Sequence, residues 1–380
     1  MTAEVGSWAI EHGRLLGEGG FSRVYAAQSV SGECLITAAK QVFVLPACPP
    51  ANIDASSREE TERELAALRA VGQHPFIIQL HDHCDLGEHP TSAFCNSSFF
   101  FLELATGGEL FDRLTDGGRM SEIQLRPYLT CLARALAHCH ALGITHGDVK
   151  LENALVIAEQ PDIVKLADFG LASCAPLLPD GTPESQHLRH GTAGTPGYRA
   201  PEMFEHAEAG YRGPPCDIWA LGISAFALAA GGFPWDEAQA PDPCFAYTSE
   251  GQQSGSGACS LIAAFHSGGR LACPLSDAFQ ALLPTIFLRQ LSTNLRDCPY
   301  TCYSCPTASP APTAPMHPLH PLHAQLLLLL LPLLPLLPIL LLPPISPLFH
   351  STLWSTSHTQ SSTIRRRFSI RCLPSTRRGE

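Results

Sequence analysis

Short apolar-rich runs bounded by turn-forming residues recur five times in the first hundred positions: Ala9 to Leu16, Ser22 to Gln28, Cys34 to Phe43, Phe76 to His83 and Phe99 to Leu104. Their length and residue types predict strands. One stretch breaks the rhythm. From about Ser57 to Val71, Glu64, Leu65, Leu68 and Val71 recur at helical spacing and predict a single helix among the strands. After Gly108 the period lengthens. Ile123 to Leu142 places Leu125, Leu129, Leu132, Leu136 and Cys139 on one helical face, and Ile218 to Ala230 is apolar all round, as a buried helix is. This order of elements predicts an α+β chain in two parts, a small and mostly β lobe at 8–102 and a larger, mostly α lobe at 106–285.

Composition changes the picture toward the C-terminus. The 33 prolines are too many for an all-helical protein, and from about Cys305 the text turns into Pro, Leu, Ser, Thr and His with almost no acid. We place a divergent segment at 286–305 and a disordered, low-complexity Pro/Leu/Ser-rich tail at 306–380. Within that tail Leu326 to Ile345 carries no charge over twenty residues, enough on length to span a bilayer. Pro332, Pro335, Pro338, Pro343 and Pro344 interrupt it, and each interior proline costs a helix about 3 kcal/mol. A membrane tether through 326–345 is therefore the lesser reading.

The formal charge of −11 disfavours nucleic acid as a partner and suits cationic or cation-chelated ones. No apolar stretch follows Met1, so the 15 cysteines are expected as reduced, mostly buried thiols in an intracellular, cytoplasmic protein, with a nuclear location the secondary reading. Cys298, Cys302 and Cys305 have ligand-like spacing but lack a clear fourth partner for zinc.

Candidate chemistry starts at LGEGGFSRVY. Gly17, Gly19, Ser22 and Val24 form a strand, glycine turn, strand arrangement whose small residues let backbone amides approach phosphate oxygens. Lys40 follows sixteen residues past Val24, and Glu64 lies on the interrupting helix, a pair able to hold a nucleotide's phosphates through a buried ion pair. His146, Asp148, Lys150 and Asn153 come next in THGDVKLEN, then Asp168, Phe169 and Gly170 in LADFG, then GTPGYRAPE from Gly194 to Glu202. With these motifs in order the sequence resembles the eukaryotic protein kinase family. Lys150 and Thr195 resemble its serine/threonine type, and ELATGGELFDRL and GGFPWDEA look most like the calcium/calmodulin-dependent kinase group. Lysine usage sharpens the match. The chain has three lysines, Lys40, Lys150 and Lys165, beside 21 arginines, and two of the three fall on motif lysines, where a compact ammonium suits phosphate better than a planar guanidinium.

The resemblance implies a bilobal kinase fold, an ATP-dependent serine/threonine protein kinase, and ATP with Mg2+ as its cofactors. By the same resemblance, amides of Gly17 to Ser22 cover the phosphates, and Lys40 contacts them while paired to Glu64. Asn153 and Asp168 hold the metal, Asp148 orients the substrate hydroxyl and Lys150 steadies the γ-phosphate. Adenine hangs from the backbone of Glu103 to Ala105, between Val24 and Ala38 above and Leu155 below, with Glu109 counted in the same pocket. A regulatory column falls on Leu68, Leu80, His146 and Phe169, with Asp217 at its base. Glu109 and Glu152 match acidic positions that receive an arginine upstream of the target, so protein substrates with basic motifs are expected. Ala227 replaces a third such acid, which weakens that preference.

Departures carry expectations of their own. Gly147 replaces the arginine that pairs with an activation-segment phosphate, so activity independent of such phosphorylation is expected. Pro176, Pro179, Gly181 and Pro183 suggest a mobile insert between Asp168 and Glu202. Beyond the helix expected over Asp277 to Leu283, no motif supplies the arginine that pairs with Glu202, although Arg289 and Arg296 lie nearby. The end of the large lobe reads as incomplete, and a pseudokinase or scaffold with impaired activity is the alternative function.

Overall fold

The computed structural model describes residues 2–19, 22–30, 35–43, 55–85, 97–158 and 160–246. The expected helix at Asp277 to Leu283, Arg289 and Arg296, the three clustered cysteines and the 326–345 segment lie outside the described residues.

Period-two runs become one antiparallel sheet. β1 (Thr2–Val5), β2 (Trp8–Glu18), β3 (Ser22–Ser29) and β4 (Ile36–Phe43) precede helix α1 (Ala55–Val71), and β5 (Leu80–Asp85) and β6 (Ser97–Glu103) follow it. The strand order is β1-β2-β3-β4-β6-β5. Alternation sorts the two faces. On one face Ile10, Tyr25, Ala27, Ala39, Phe99 and Phe101 bury themselves with Val5 and Trp8, and Trp8 stacks on Phe101 at 4.9 Å between ring centroids. The other face presents Val24, Ala38 and Lys40, with Val24 opposite Lys40 in register and Ala38 opposite Leu102.

Two sequence expectations shift. β1 arises from a polar stretch that carried no strand signal, and Phe76 to Gln79 forms no strand beyond one bridge, Ile77 to Leu166. Ile77 and Ile78 are buried there, so apolarity marks a core-crossing connection rather than a sheet element.

The second lobe is helical over the two described stretches expected of it, and two short helices that the pattern did not place join them. α2 (Leu110–Gly117) and α3 (Glu122–Ala141) lead into β7 (Ile144–Thr145), β8 (Ala154–Ile157) and β9 (Gln160–Leu166). Then come β10 (Ser173–Cys174), β11 (Leu188–Arg189), α4 (Glu202–Glu205), β12 (Tyr211–Arg212) and α5 (Gly213–Ala230). The expected face of α3, Leu125, Leu129, Leu132, Leu136 and Cys139, is buried throughout. α5 is long and apolar enough to cross a membrane, yet 89% of that window is buried among the other elements, which makes it the core helix of the lobe. Three two-stranded pairings, β7 with β10, β8 with β9 and β11 with β12, fasten the intervening loops to this core.

The insert between Asp168 and Glu202 contains a hairpin: Leu177 bridges Pro183, the Leu178 N–H donates to Thr182 O at 2.7 Å, and Asp180 caps Thr182.

Candidate active site

Lys40 links the two lobes. Its ammonium lies 2.7 Å from Glu64 Oε1 on α1 and 2.7 Å from Asp168 Oδ1 at the end of the β9 connection. Glu64 reaches it because α1 packs that residue inward, leaving 5% of the side chain exposed. Burial alone would lower the Lys40 pKa; the charges of Glu64 and Asp168 reverse that and hold it above the usual lysine value. Burial likewise works against the Asp168 carboxylate, and Lys40 overcomes it and holds the pKa below the usual range. Asp168 adopts φ +63°, the only positive φ among the described non-glycine residues, which aims its carboxylate at Lys40 at the cost of backbone strain.

Both oxygens of Asp148 are engaged. Oδ1 accepts from the Thr195 N–H at 3.0 Å and the Thr195 hydroxyl at 2.7 Å, while Oδ2 lies 2.7 Å from Lys150 Nζ and accepts from Asn153 Nδ2 at 3.2 Å. Lys150 also donates to Thr195 Oγ1 at 2.9 Å, which closes a triangle between the catalytic loop and the activation segment.

The loop that carries Asp148 is fixed from below. Buried Asp217 on α5 accepts the backbone N–H groups of His146 and Gly147, both at 2.9 Å, and lies 2.7 Å from His140 Nε2. The Asp148 N–H donates to His146 Nδ1, so the ring's proton sits on Nε2, 3.0 Å from Ala167 O. Burial lowers the His146 pKa and keeps the imidazole neutral in that tautomer. The Ala167 N–H donates to Asn153 O at 2.8 Å, which ties the residue before Asp168 to the catalytic loop. Of the expected column, Leu68 and Phe169 belong to the buried core with Leu80 packed against it, and the His146 ring meets Phe169 edge-on at 4.8 Å.

Val24 and Ala38 lie on the sheet face that carries Lys40, and Leu155 on β8 bridges Glu109 at the start of α2. Gly17 pairs with Val24, and the Gly19 N–H donates to Ser22 O at 2.8 Å, so the ends of the glycine turn are closed; Gly20 and Phe21 at its tip lie outside the described residues. Ala105 follows β6 with Glu103 at its end. The third lysine was not placed by motif. Lys165 lies 2.6 and 2.7 Å from the two Glu103 oxygens and holds the end of β6 against β9. Its only sequence signal was its rarity.

Glu109 stands with Asp112 and Glu152. Burial raises the Glu109 pKa, and the charges of Asp112 and Glu152 add to the rise. The Tyr198 hydroxyl donates to Glu152 Oε2 at 3.1 Å. Ala227 is fully buried in α5 and faces no substrate. Glu202 is 1% exposed and receives the Cys216 thiol at 3.6 Å.

A family model described as protein kinase domain matches residues 10–254, more than half of the chain. The chain belongs to the protein kinase family. CBL-interacting protein kinase 20 of Oryza sativa subsp. japonica is 38% identical over 231 residues, covering 59% of this chain and 45% of that protein. CBL-interacting serine/threonine-protein kinase 7 of Arabidopsis thaliana is 34% identical over 60% of this chain and 47% of that protein. Such relatives belong to the calcium/calmodulin-dependent kinase group, in line with the resemblance read from the sequence. This kinase-family chain spans about half the length of the curated relatives it matches.

Proposed function

We propose that the chain is a serine/threonine protein kinase that transfers the γ-phosphate of Mg-ATP to hydroxyls of protein substrates. The observation that carries this reading is Lys40 held between Glu64 and Asp168, one ammonium joining both lobes.

The donor set fits the group that the family uses. Among the described residues no cluster of three or more His, Cys, Asp or Glu could hold a metal by itself. Mg2+ needs no such cluster, because it keeps waters and phosphate oxygens and takes one or two protein oxygens. Asn153 spends its amide N–H groups on Asp148 and Asp168 spends Oδ1 on Lys40, so Asn153 Oδ1 and Asp168 Oδ2 are the hard oxygens available. Bound there, Mg-ATP supplies the transferable phosphoryl group with part of its charge neutralised.

In this reading Lys40 orients the phosphates, and Asp148, once one of its four present donors gives way to the attacking hydroxyl, accepts that hydrogen bond and receives the proton. Lys150 neutralises charge beside it. Backbone of Glu103 and Ala105 takes the adenine edge, Val24, Ala38 and Leu155 enclose its faces, and Gly17, Gly19 and Ser22 cover the phosphates. The Lys150–Thr195–Asp148 triangle supports the serine/threonine assignment. Glu109, whose charge is opposed by Asp112 and Glu152, gains most from a cation, which supports a basic residue upstream of the target.

The test is a set of three peptides, identical but for Ser, Thr or Tyr at the target, incubated with the full chain and Mg-ATP. Phosphate on Ser and Thr with none on Tyr is expected. Transfer to Tyr at a comparable rate overturns the specificity.

A further inference from the structure

Gly147, immediately before Asp148, has φ +81°. A Cβ there would overlap Nη1 of Arg189 and sit 2.6 Å from Leu171 O. Arg189 fills that space from the activation segment, and its Nη2 donates to Leu171 O at 3.0 Å. The strand that carries it is anchored independently: β11 pairs Arg189 with Tyr211 and Leu188 with Arg212, directly ahead of α5. α5 in turn supplies Asp217, which accepts the Gly147 N–H. One guanidinium therefore sits where three segments meet: the catalytic loop beside Asp148, the turn three residues after Asp168, and the segment that delivers Thr195.

We infer that Arg189 is a positioning residue whose guanidinium, inserted over side-chain-free Gly147, ties the activation segment directly to the catalytic loop and to the turn after Asp168. The inference rests on the kinase reading and adds to it a residue that touches neither nucleotide nor substrate. Its physical basis is reciprocal. The guanidinium fits only because residue 147 lacks a Cβ, and a planar multi-donor group can hold a carbonyl while packing flat over backbone, which a lysine cannot reproduce. Displacing it frees the loop after Asp168 and the approach of Thr195 to Asp148. A misplacement of about 1 Å in such a constellation costs on the order of a hundred-fold in rate.

The test uses the full chain. Arg189→Ala is expected to lower kcat for peptide phosphorylation about ten- to a hundred-fold while KM for ATP stays within about two-fold. Ethylguanidinium in the assay is expected to restore part of the loss, a response that general loosening of the fold would not give. Gly147→Ala displaces the guanidinium from the other side and also puts a Cβ at φ +81° and 2.6 Å from Leu171 O, so its loss of kcat should be at least as large. The double variant should be no worse than the poorer single, because both changes break one contact. Amide hydrogen exchange over residues 171–175 and 192–195 reports independently of turnover and should quicken in Arg189→Ala. Unchanged kcat or unchanged exchange in Arg189→Ala, or strictly additive losses without guanidinium rescue, overturn the inference. In those cases wild-type phosphate transfer persists, whereas a wild-type chain without transfer contradicts the kinase reading, and the exchange result still decides the role of Arg189.

Discussion

Thr195 donates both its backbone N–H and its hydroxyl to one oxygen of Asp148, at 3.0 and 2.7 Å. The activation segment thus sets the orientation of the carboxylate proposed to receive the substrate proton. Thr195→Val keeps the N–H and the shape but deletes the hydroxyl that also accepts from Lys150. It is expected to lower kcat about ten-fold with little change in KM for ATP, and Thr195→Ser is expected to retain most of the rate. Steady-state kinetics on a serine peptide check both.

Lys40→Met removes the ammonium between two carboxylates. The loss of phosphate orientation should lower kcat/KM about a hundred-fold or more. Glu64, 5% exposed in its side chain, is then left as a buried charge without its partner, a change that costs on the order of 3 to 5 kcal/mol. Denaturant unfolding should therefore show Lys40→Met less stable than wild type, and the double change Lys40→Met with Glu64→Leu should recover part of that loss.

Asp217→Ala leaves the N–H groups of His146 and Gly147 unpaired in a buried site and removes the partner of His140. Each orphaned donor costs about 1 to 3 kcal/mol. A stability loss of several kcal/mol is expected by denaturant unfolding, with Asp217→Asn intermediate because one oxygen survives to accept.

These effects divide by how visible their cause is in one dimension. The convergence of Lys40 with Glu64 and Asp168, and of Asp148 with Lys150 and Asn153, was legible through the motifs that carry the resemblance, and the chain's scarce lysines made Lys40 and Lys150 conspicuous. α1 and α3 were legible because helical spacing marks their buried faces and α5 because it is apolar all round, whereas the short α2 and α4 carried no such signal. β1 was not, since its pairing with β2 rests on backbone bonds and on Val5 and Trp8, too few apolar residues to form a pattern. Phe76 to Gln79 misled because burial without sheet pairing shows the same apolarity as a strand. Proline and glycine in the activation insert pointed to a mobile stretch, and hairpin closure between Leu177 and Pro183 depends on pairing that composition does not encode. Lys165 with Glu103, and Arg189 over Gly147, are long-range contacts that no local spacing announces.

Acid pH should act through a histidine outside the site. His74 stacks on His138 at 4.6 Å, and its pKa is lowered to about 4 by partial burial, then by the charges of His138, Arg134 and Lys165. A pKa depressed on folding means that the unfolded chain binds the proton more readily, so stability is intact above about pH 6.5 and declines as pH falls toward about 4. The melting temperature should drop across that window. His74→Gln should flatten the slope, though not abolish it, because His81, His83 and His146 are shifted in the same direction.

The account turns on whether the full chain moves phosphate and does so through Asp148. The deciding measurement is the initial rate of phosphate transfer from ATP to a basic serine peptide in Mg2+, for wild type and Asp148→Asn, with nucleotide binding followed in parallel by calorimetry. Transfer by wild type, a loss of about a hundred-fold or more in the variant and similar ATP affinity in both are predicted. A wild-type chain that binds ATP without transfer, or a variant as fast as wild type, would contradict it.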